Sequence, residues 1–182
     1  MQSIKTPPRT IMEVFKMLPE GTLAEIINGT IYKSPSPTVK HQIILKELAF
    51  AISAFVKHNK KGSLVLFAPC DVFLDEDSNA VQPDIIFISA EKRSIIKDDA
   101  IHGIPDMLIE ILSPRNSDHD LNRKKDLYET FGVSEYWVVT PETTETVGFF
   151  LKNGKYIESG RYVGKIHSVL LDNTEFDFLI KD

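Results

Sequence analysis

Residues 105–142 read PDMLIEILSPRNSDHDLNRKKDLYETFGVSEYWVVTPE. Pro105–Leu112 is apolar on both faces except for Glu110, the pattern of a central strand covered on both sides. Leu108 and Leu112 share the strand face of Glu110, and Ile109 and Ile111 take the other. Ser117–Gly132 predicts a helix. Ser117 suits the N-cap, with Asp120 three residues on as an approximate capping box, and Gly132 suits the C-terminal stop. At 100° per residue the apolar face carries Leu121, Leu127, Tyr128 and Phe131. Lys124 falls in the middle of that arc with Asp120 beside it, whereas Arg123, Lys125, Asp126 and Glu129 point toward water. A lysine on a core-facing stripe is costly unless it snorkels out or meets a carboxylate. Tyr136–Val139 then reads as another buried strand.

Working outward, Thr10–Met17 predicts a short helix closed by Pro19. Leu23–Ile27 and Thr30–Lys33 flank Asn28-Gly29, a strong hairpin signal. Thr38 caps a long helix, Val39–His58, with His41, Leu45, Leu48, Ile52 and Phe55 on one face. Leu64–Leu74, interrupted by Pro69, and Val81–Ser89 predict one hairpin. Glu91–Gly103 predicts a loop with a helical turn. Val147–Leu151 and Lys155–Glu158 flank Asn153-Gly154, a second hairpin, and Ser168–Ile180 offers one or two edge strands. The sum is an α/β layer structure, a mixed sheet with a helix before and a helix after its central hairpin and strand.

The 182 residues suit a single domain spanning 1–182. A net charge of −5, from 21 basic and 26 acidic residues, argues against a protein that coats nucleic acid non-specifically, and leaves room for a local basic groove. The single Cys70 cannot form an internal disulfide, which fits a reducing cytoplasm. No apolar run approaches the ~20 residues that span a bilayer. MQSIKTPPRT lacks the apolar core of a signal peptide.

Glu110 among aliphatic neighbours needs a cation or several hydrogen bonds. Asp84 opens a second apolar strand, IIFI. Two carboxylates at the ends of adjacent strands make a hard-oxygen site for Mg²⁺ or Mn²⁺. A metal there polarises a phosphoryl oxygen and lowers the pKa of bound water. A nearby ammonium orients or deprotonates the attacking water, or stabilises developing charge. Asp84, Glu110 and Lys124 thus form a candidate site for metal-assisted phosphodiester hydrolysis. Taken singly, each also has a plain structural reading, a Pro-Asp turn or a buried Glu–Lys pair.

PDIIFIS at 83–89 and the run at 105–142 resemble the putative restriction endonuclease family of the PD-(D/E)XK nuclease superfamily. LAEIINGTIY and VKHQII look like that family's opening segments, and the resemblance spans about residues 20–150. It rests on Glu-Ile-Leu-Ser-Pro, Asp-x-x-x-Lys-x-x-x-Tyr and Gly-Val-x-Glu-Tyr-Trp in this order. It implies a restriction endonuclease-like fold, a mixed central sheet flanked by helices with additional hairpins, and a divalent metal on Asp84 and Glu110. It further implies DNA as partner and a homodimer. The superfamily name places the lysine two residues after the acid, and here that position is Leu112. Lys124 matches the lysine of the family's helical element, so the resemblance suggests that the charge has moved onto the helix.

Supporting candidates are His41, Asp120 and Glu25. His41 matches a family histidine and touches the site, or is a hydrogen-bonded core histidine. Asp120 joins the site or simply pairs with Lys124. Glu25 approaches the metal or is an exposed strand residue, and Asp71 is ambiguous in the same way. Arg115, Arg123 and Lys125 contact phosphates or form a solvated face. The first functional expectation is a Mg²⁺-dependent DNA endonuclease. Two others compete with it: a catalytically silent nucleic-acid-binding or assembly module of the same fold, and a metal-dependent phosphoesterase for smaller substrates.

Overall fold

The computed structural model of the chain describes residues 8–19, 21–113 and 117–179, and in the helix that opens at Ser117 the side chains from residue 122 onward. The expected cap at Ser117, the side chains of Asp120 and Leu121, and Arg115 lie outside the described residues.

Thr10 caps α1 (Ile11–Lys16), its side chain accepting from Glu13 N–H. β1 (Ala24–Ile27) and β2 (Thr30–Lys33) pair antiparallel. Their turn places Asn28 at φ 49° and Gly29 at φ 73°, the left-handed pair that an Asn-Gly hairpin requires. Thr38 caps α2 (Val39–Asn59), accepting from the His41 N–H at 3.2 Å. Then follow β3 (Leu64–Phe67), β4 (Val72–Phe73), β5 (Ala80–Val81), β6 (Ile85–Ile88), a 3₁₀ turn at Ala90–Ile95, β7 (Ile101–His102) and β8 (Met107–Ile111). α3 (Ser117–Phe131) leads to β9 (Glu135–Val139), β10 (Glu145–Lys152), β11 (Lys155–Val163), β12 (Lys165–Ser168) and β13 (Thr174–Asp177).

The strands form a six-stranded sheet ordered β11-β10-β9-β8-β6-β3, a five-stranded sheet ordered β2-β1-β5-β4-β7, and the β12-β13 pair. The six-stranded sheet is the expected mixed central sheet, and five further strands form a sheet of their own. The break falls within the predicted first hairpin: β3 pairs with β6 in the larger sheet, while β4 pairs with β5 in the smaller one. Prolines account for it. After the Ala68 N–H to Asp84 C=O bond, the ladder meets Pro69 and Pro83, which carry no N–H to continue it. β7, expected as loop, adds a short parallel rung to β4.

β8 is central, antiparallel to β6 and parallel to β9 across the α3 connection. Its Ile109 and Ile111 face α2, where Leu48 and Ile52 are fully buried against Ile85, Phe87 and Trp137. Truncating either α2 residue to Ala costs about 2–5 kcal/mol. Leu108, on the opposite face, packs under Leu127 and Tyr128 of α3 with Tyr136 and Val138. Each face of β8 is thus covered by one helix, as its uninterrupted apolar pattern demands. On α2 the buried face is Ile44, Leu45, Leu48, Ala49, Ile52 and Val56, and Phe55 packs at its rim.

Arg123 and Lys125, expected to point toward water, rest on aromatic rings instead. Arg123 lies over the Tyr32 ring at 4.2 Å and Lys125 over the Phe149 ring at 4.5 Å, both half-buried. Flat aromatic faces beside the helix attract these cations and cover their stems. Glu129 is also held, accepting from Lys155 Nζ and the Tyr156 N–H.

Candidate active site

An open cleft of about 170 Å³ lies where the two larger sheets meet the N-terminus of α2 and the inner face of α3. Glu25 from β1, His41 from α2, Asp84 before β6, Glu110 from β8 and Lys124 from α3 all line it. Strand and helix periodicity explains the two central groups. Glu110 sits on the α3 side of β8, and Lys124 is the α3 residue whose direction matches that face. They are 7% and 8% exposed, so their charges must be answered inside the fold.

They answer each other. Lys124 Nζ lies 2.9 Å from Glu110 Oε1 and 2.8 Å from Glu25 Oε1. Glu25 Oε1 also accepts the Gln82 N–H at 2.8 Å, and the Tyr128 hydroxyl donates to Glu110 Oε1 at 2.7 Å. Asp84 is held from two sides. Its Oδ2 accepts the Ile111 N–H at 2.7 Å, one residue after Glu110, and its Oδ1 accepts from His41 Nε2 at 3.0 Å. A carboxylate oxygen only accepts, so His41 carries its proton on Nε2. His41 Nδ1 is buried with no hydrogen-bond partner among the described residues.

Burial pushes the Glu110 carboxyl up to about 8; the Lys124 ammonium pulls it down, Glu25 and Asp84 push it up again, and the Tyr128 bond lowers it. Burial alone lowers Lys124, but Glu110 and then Glu25 outweigh it and hold the ammonium above its ordinary range. Tyr128 stays protonated, raised first by burial and then by Glu110 and Glu25. Three carboxyl groups thus face one ammonium and one imidazole. Hard carboxyl oxygens in this number suit a divalent cation such as Mg²⁺, which commonly takes one or two protein carboxylates and keeps several waters. Asp84, just before β6, and Glu110, on β8, come from adjacent strand segments. Among the described residues no group of three or more His, Cys, Asp or Glu side chains is placed to hold a metal.

Of the residues expected from sequence, Asp84, Glu110, Lys124, His41 and Glu25 share the cleft. Arg123 and Lys125 do not line it. Asp71 accepts from Gln82 Nε2 at 2.7 Å and stands outside it. Tyr128 and Gln82 were missed. A tyrosine on an apolar helix stripe reads as core, and Gln82 reaches Glu25 through its backbone, which leaves no mark on composition.

The family model for Uma2, described as "Putative restriction endonuclease", matches residues 12–170. The chain belongs to the Uma2 family. Membership of a family so described supports a nuclease activity in general terms and nucleic acid as its substrate. Among solved structures, the chain is similar to a putative nuclease belonging to DUF820 from Anabaena variabilis ATCC 29413, with a TM-score of 0.66 and 22% identity. That match covers 83% of this chain and 84% of the other. The likeness shows that the Uma2 chain shares the fold of that protein: mixed sheets flanked by helices, as the resemblance implied. No curated protein matches the chain. No helix among the described residues is long and apolar enough to cross a membrane.

Proposed function

We propose that this Uma2 protein is a metal-dependent endonuclease that hydrolyses phosphodiester bonds of DNA. The observation that carries this reading is Lys124, an ammonium buried between Glu25 and Glu110 on the wall of a cleft that Asp84 also lines. Asp84 and Glu110 would hold Mg²⁺ or Mn²⁺, which when bound supplies Lewis-acid polarisation of the phosphate and a lowered pKa for an attacking water.

The chain's own groups divide the remaining work. Lys124 keeps its proton because two carboxylates hold it, so it acts as a fixed positive donor rather than a general base. Placed beside the phosphate, it stabilises the charge that grows on the non-bridging oxygens as water attacks and the leaving oxygen departs. Glu25 keeps that ammonium in place, and Glu110 would face the cation. His41 and the Ile111 N–H fix both oxygens of Asp84, the outer-shell support that a ligating carboxylate needs. Arg123 and Lys125, outside the cleft, would meet flanking phosphates. A homodimer, carrying one such cleft for each strand, and a cytoplasmic setting belong to the same proposal.

Plasmid nicking with Mg²⁺, with and without EDTA, tests it on wild type and Lys124→Met. Wild type should nick only with metal. Lys124→Met should lose about 10²–10⁴-fold in rate while still binding metal. Undiminished nicking by Lys124→Met removes the lysine from the mechanism. DNA binding by wild type without metal-dependent nicking would instead favour a catalytically silent binding module, and hydrolysis of small phosphodiesters alone a phosphoesterase.

A further inference from the structure

Two donors from one helix face meet a single oxygen of Glu110. The Tyr128 hydroxyl donates to Oε1 at 2.7 Å, and Lys124 Nζ lies 2.9 Å from the same atom. Lys124 and Tyr128 are four residues apart on α3, so their side chains lie one above the other over the face of β8 that carries Glu110. A carboxylate oxygen offers two lone pairs. Two donors occupy those of Oε1, fix the plane of the carboxylate, and leave Oε2 as the oxygen that takes neither bond.

Tyr128 is itself held in place. It is fully buried, and its ring meets Tyr136 edge-on, with centroids 5.1 Å apart and planes at 77°. Lys124 is tied in turn to Glu25. The apolar stripe of α3 has no need of a hydroxyl here, since phenylalanine would fill the same space. A buried hydroxyl costs free energy unless it finds a partner, and the partner it finds is the carboxylate that faces the cleft.

We propose that Tyr128 is a positioning residue for the divalent cation: by holding Oε1 of Glu110 it leaves Oε2 as the oxygen that would meet the metal. The proposal rests on the metal-dependent reading above and gives a defined task to a buried hydroxyl on the face that α3 turns to β8. Outer partners of ligating groups typically change metal affinity 10–100-fold when removed.

Calorimetric titration of Mn²⁺ into EDTA-treated, dialysed protein tests this without reference to activity. Wild type, Tyr128→Phe and Tyr156→Phe are compared, with a thermal melt of each metal-free sample. Tyr156 is the control because its hydroxyl donates to the Val133 carbonyl at 2.9 Å and not to Glu110. Tyr128→Phe should bind Mn²⁺ about 10-fold more weakly or worse, while Tyr156→Phe binds as wild type does. Equal affinity in wild type and Tyr128→Phe overturns the positioning role and leaves the metal site standing. Equal weakening in both variants overturns it too, since the effect would then follow general stability. A wild type that takes up no Mn²⁺ overturns the metal-dependent reading, and this proposal with it.

Discussion

Glu110 should make the metal-free protein less stable as pH rises from 5 to 8. Its carboxyl has an ordinary value of 4.5 and is pushed up to about 8 in the fold, mainly by burial. The folded state therefore keeps a proton that the unfolded chain has already released. The sign follows: the stabilisation is complete below about 4.5 and is lost as pH climbs through about 8. At about 1.4 kcal/mol per unit, a rise from 4.5 to about 8 corresponds to on the order of 5 kcal/mol. Lys124 is raised in the fold, so its contribution is constant throughout this window and is lost only at far higher pH. Asp75, where several hydrogen bonds together outweigh burial, and Glu129, held by its bonds to Lys155 and the Tyr156 N–H, are both lowered, and they lose their contributions only as pH falls below the ordinary carboxylate range. Glu135 is raised, by burial first, and acts in the same direction as Glu110, so a difference measurement is needed. Glu110→Gln keeps the shape and carries no titrating proton. Urea unfolding in EDTA at pH 5, 6, 7 and 8 gives the free energy of each protein, and subtraction cancels Glu135. Wild type should lose several kcal/mol relative to Glu110→Gln between pH 5 and 8. Parallel pH profiles for the two proteins would refute the reasoning.

Arg123→Ala and Lys125→Ala should each lower stability by about 0.5–1 kcal/mol, because each removes a cation from an aromatic face; thermal melts check this. If these residues also meet DNA phosphates, each variant should reduce the slope of log affinity against log salt by about one, read by fluorescence anisotropy at several salt concentrations. Gly148→Ala should destabilise by at least about 1–3 kcal/mol. A Cβ at that position would collide with the Trp137 indole ring and the Ser159 hydroxyl. A melt of Gly148→Ala matching that of wild type would show that β10 yields there.

The central strand and its helix were legible for a simple reason. Glu110 and Lys124 each break an apolar pattern at a known period, and two such breaks on facing elements point at each other. Thr10, Thr38 and Asn28-Gly29 set local boundaries by backbone chemistry, which sequence carries directly. The division into two sheets was harder to read, because Pro69 and Pro83 interrupt a ladder only once their partners are known. The aromatic seats of Arg123 and Lys125 depend on Tyr32 and Phe149, which are remote in sequence. Glu25 was visible only as one candidate among several, since its role is fixed by where Lys124 reaches. Tyr128 was hidden because a hydroxyl adds nothing to helix periodicity. Glu135, fully buried while accepting from Trp137 Nε1 and the Leu170 N–H, was likewise masked by the strand around it.

The central claim is that Asp84 and Glu110 hold the catalytic cation. A crystal soaked in Mn²⁺, with anomalous data collected at the manganese edge, tests it most directly. The account predicts a peak at about 2.1 Å from one carboxylate oxygen of each residue, removed by EDTA, with Lys124 still bonded to Glu25. A cleft without a peak, or manganese bound only elsewhere on the surface, would contradict it.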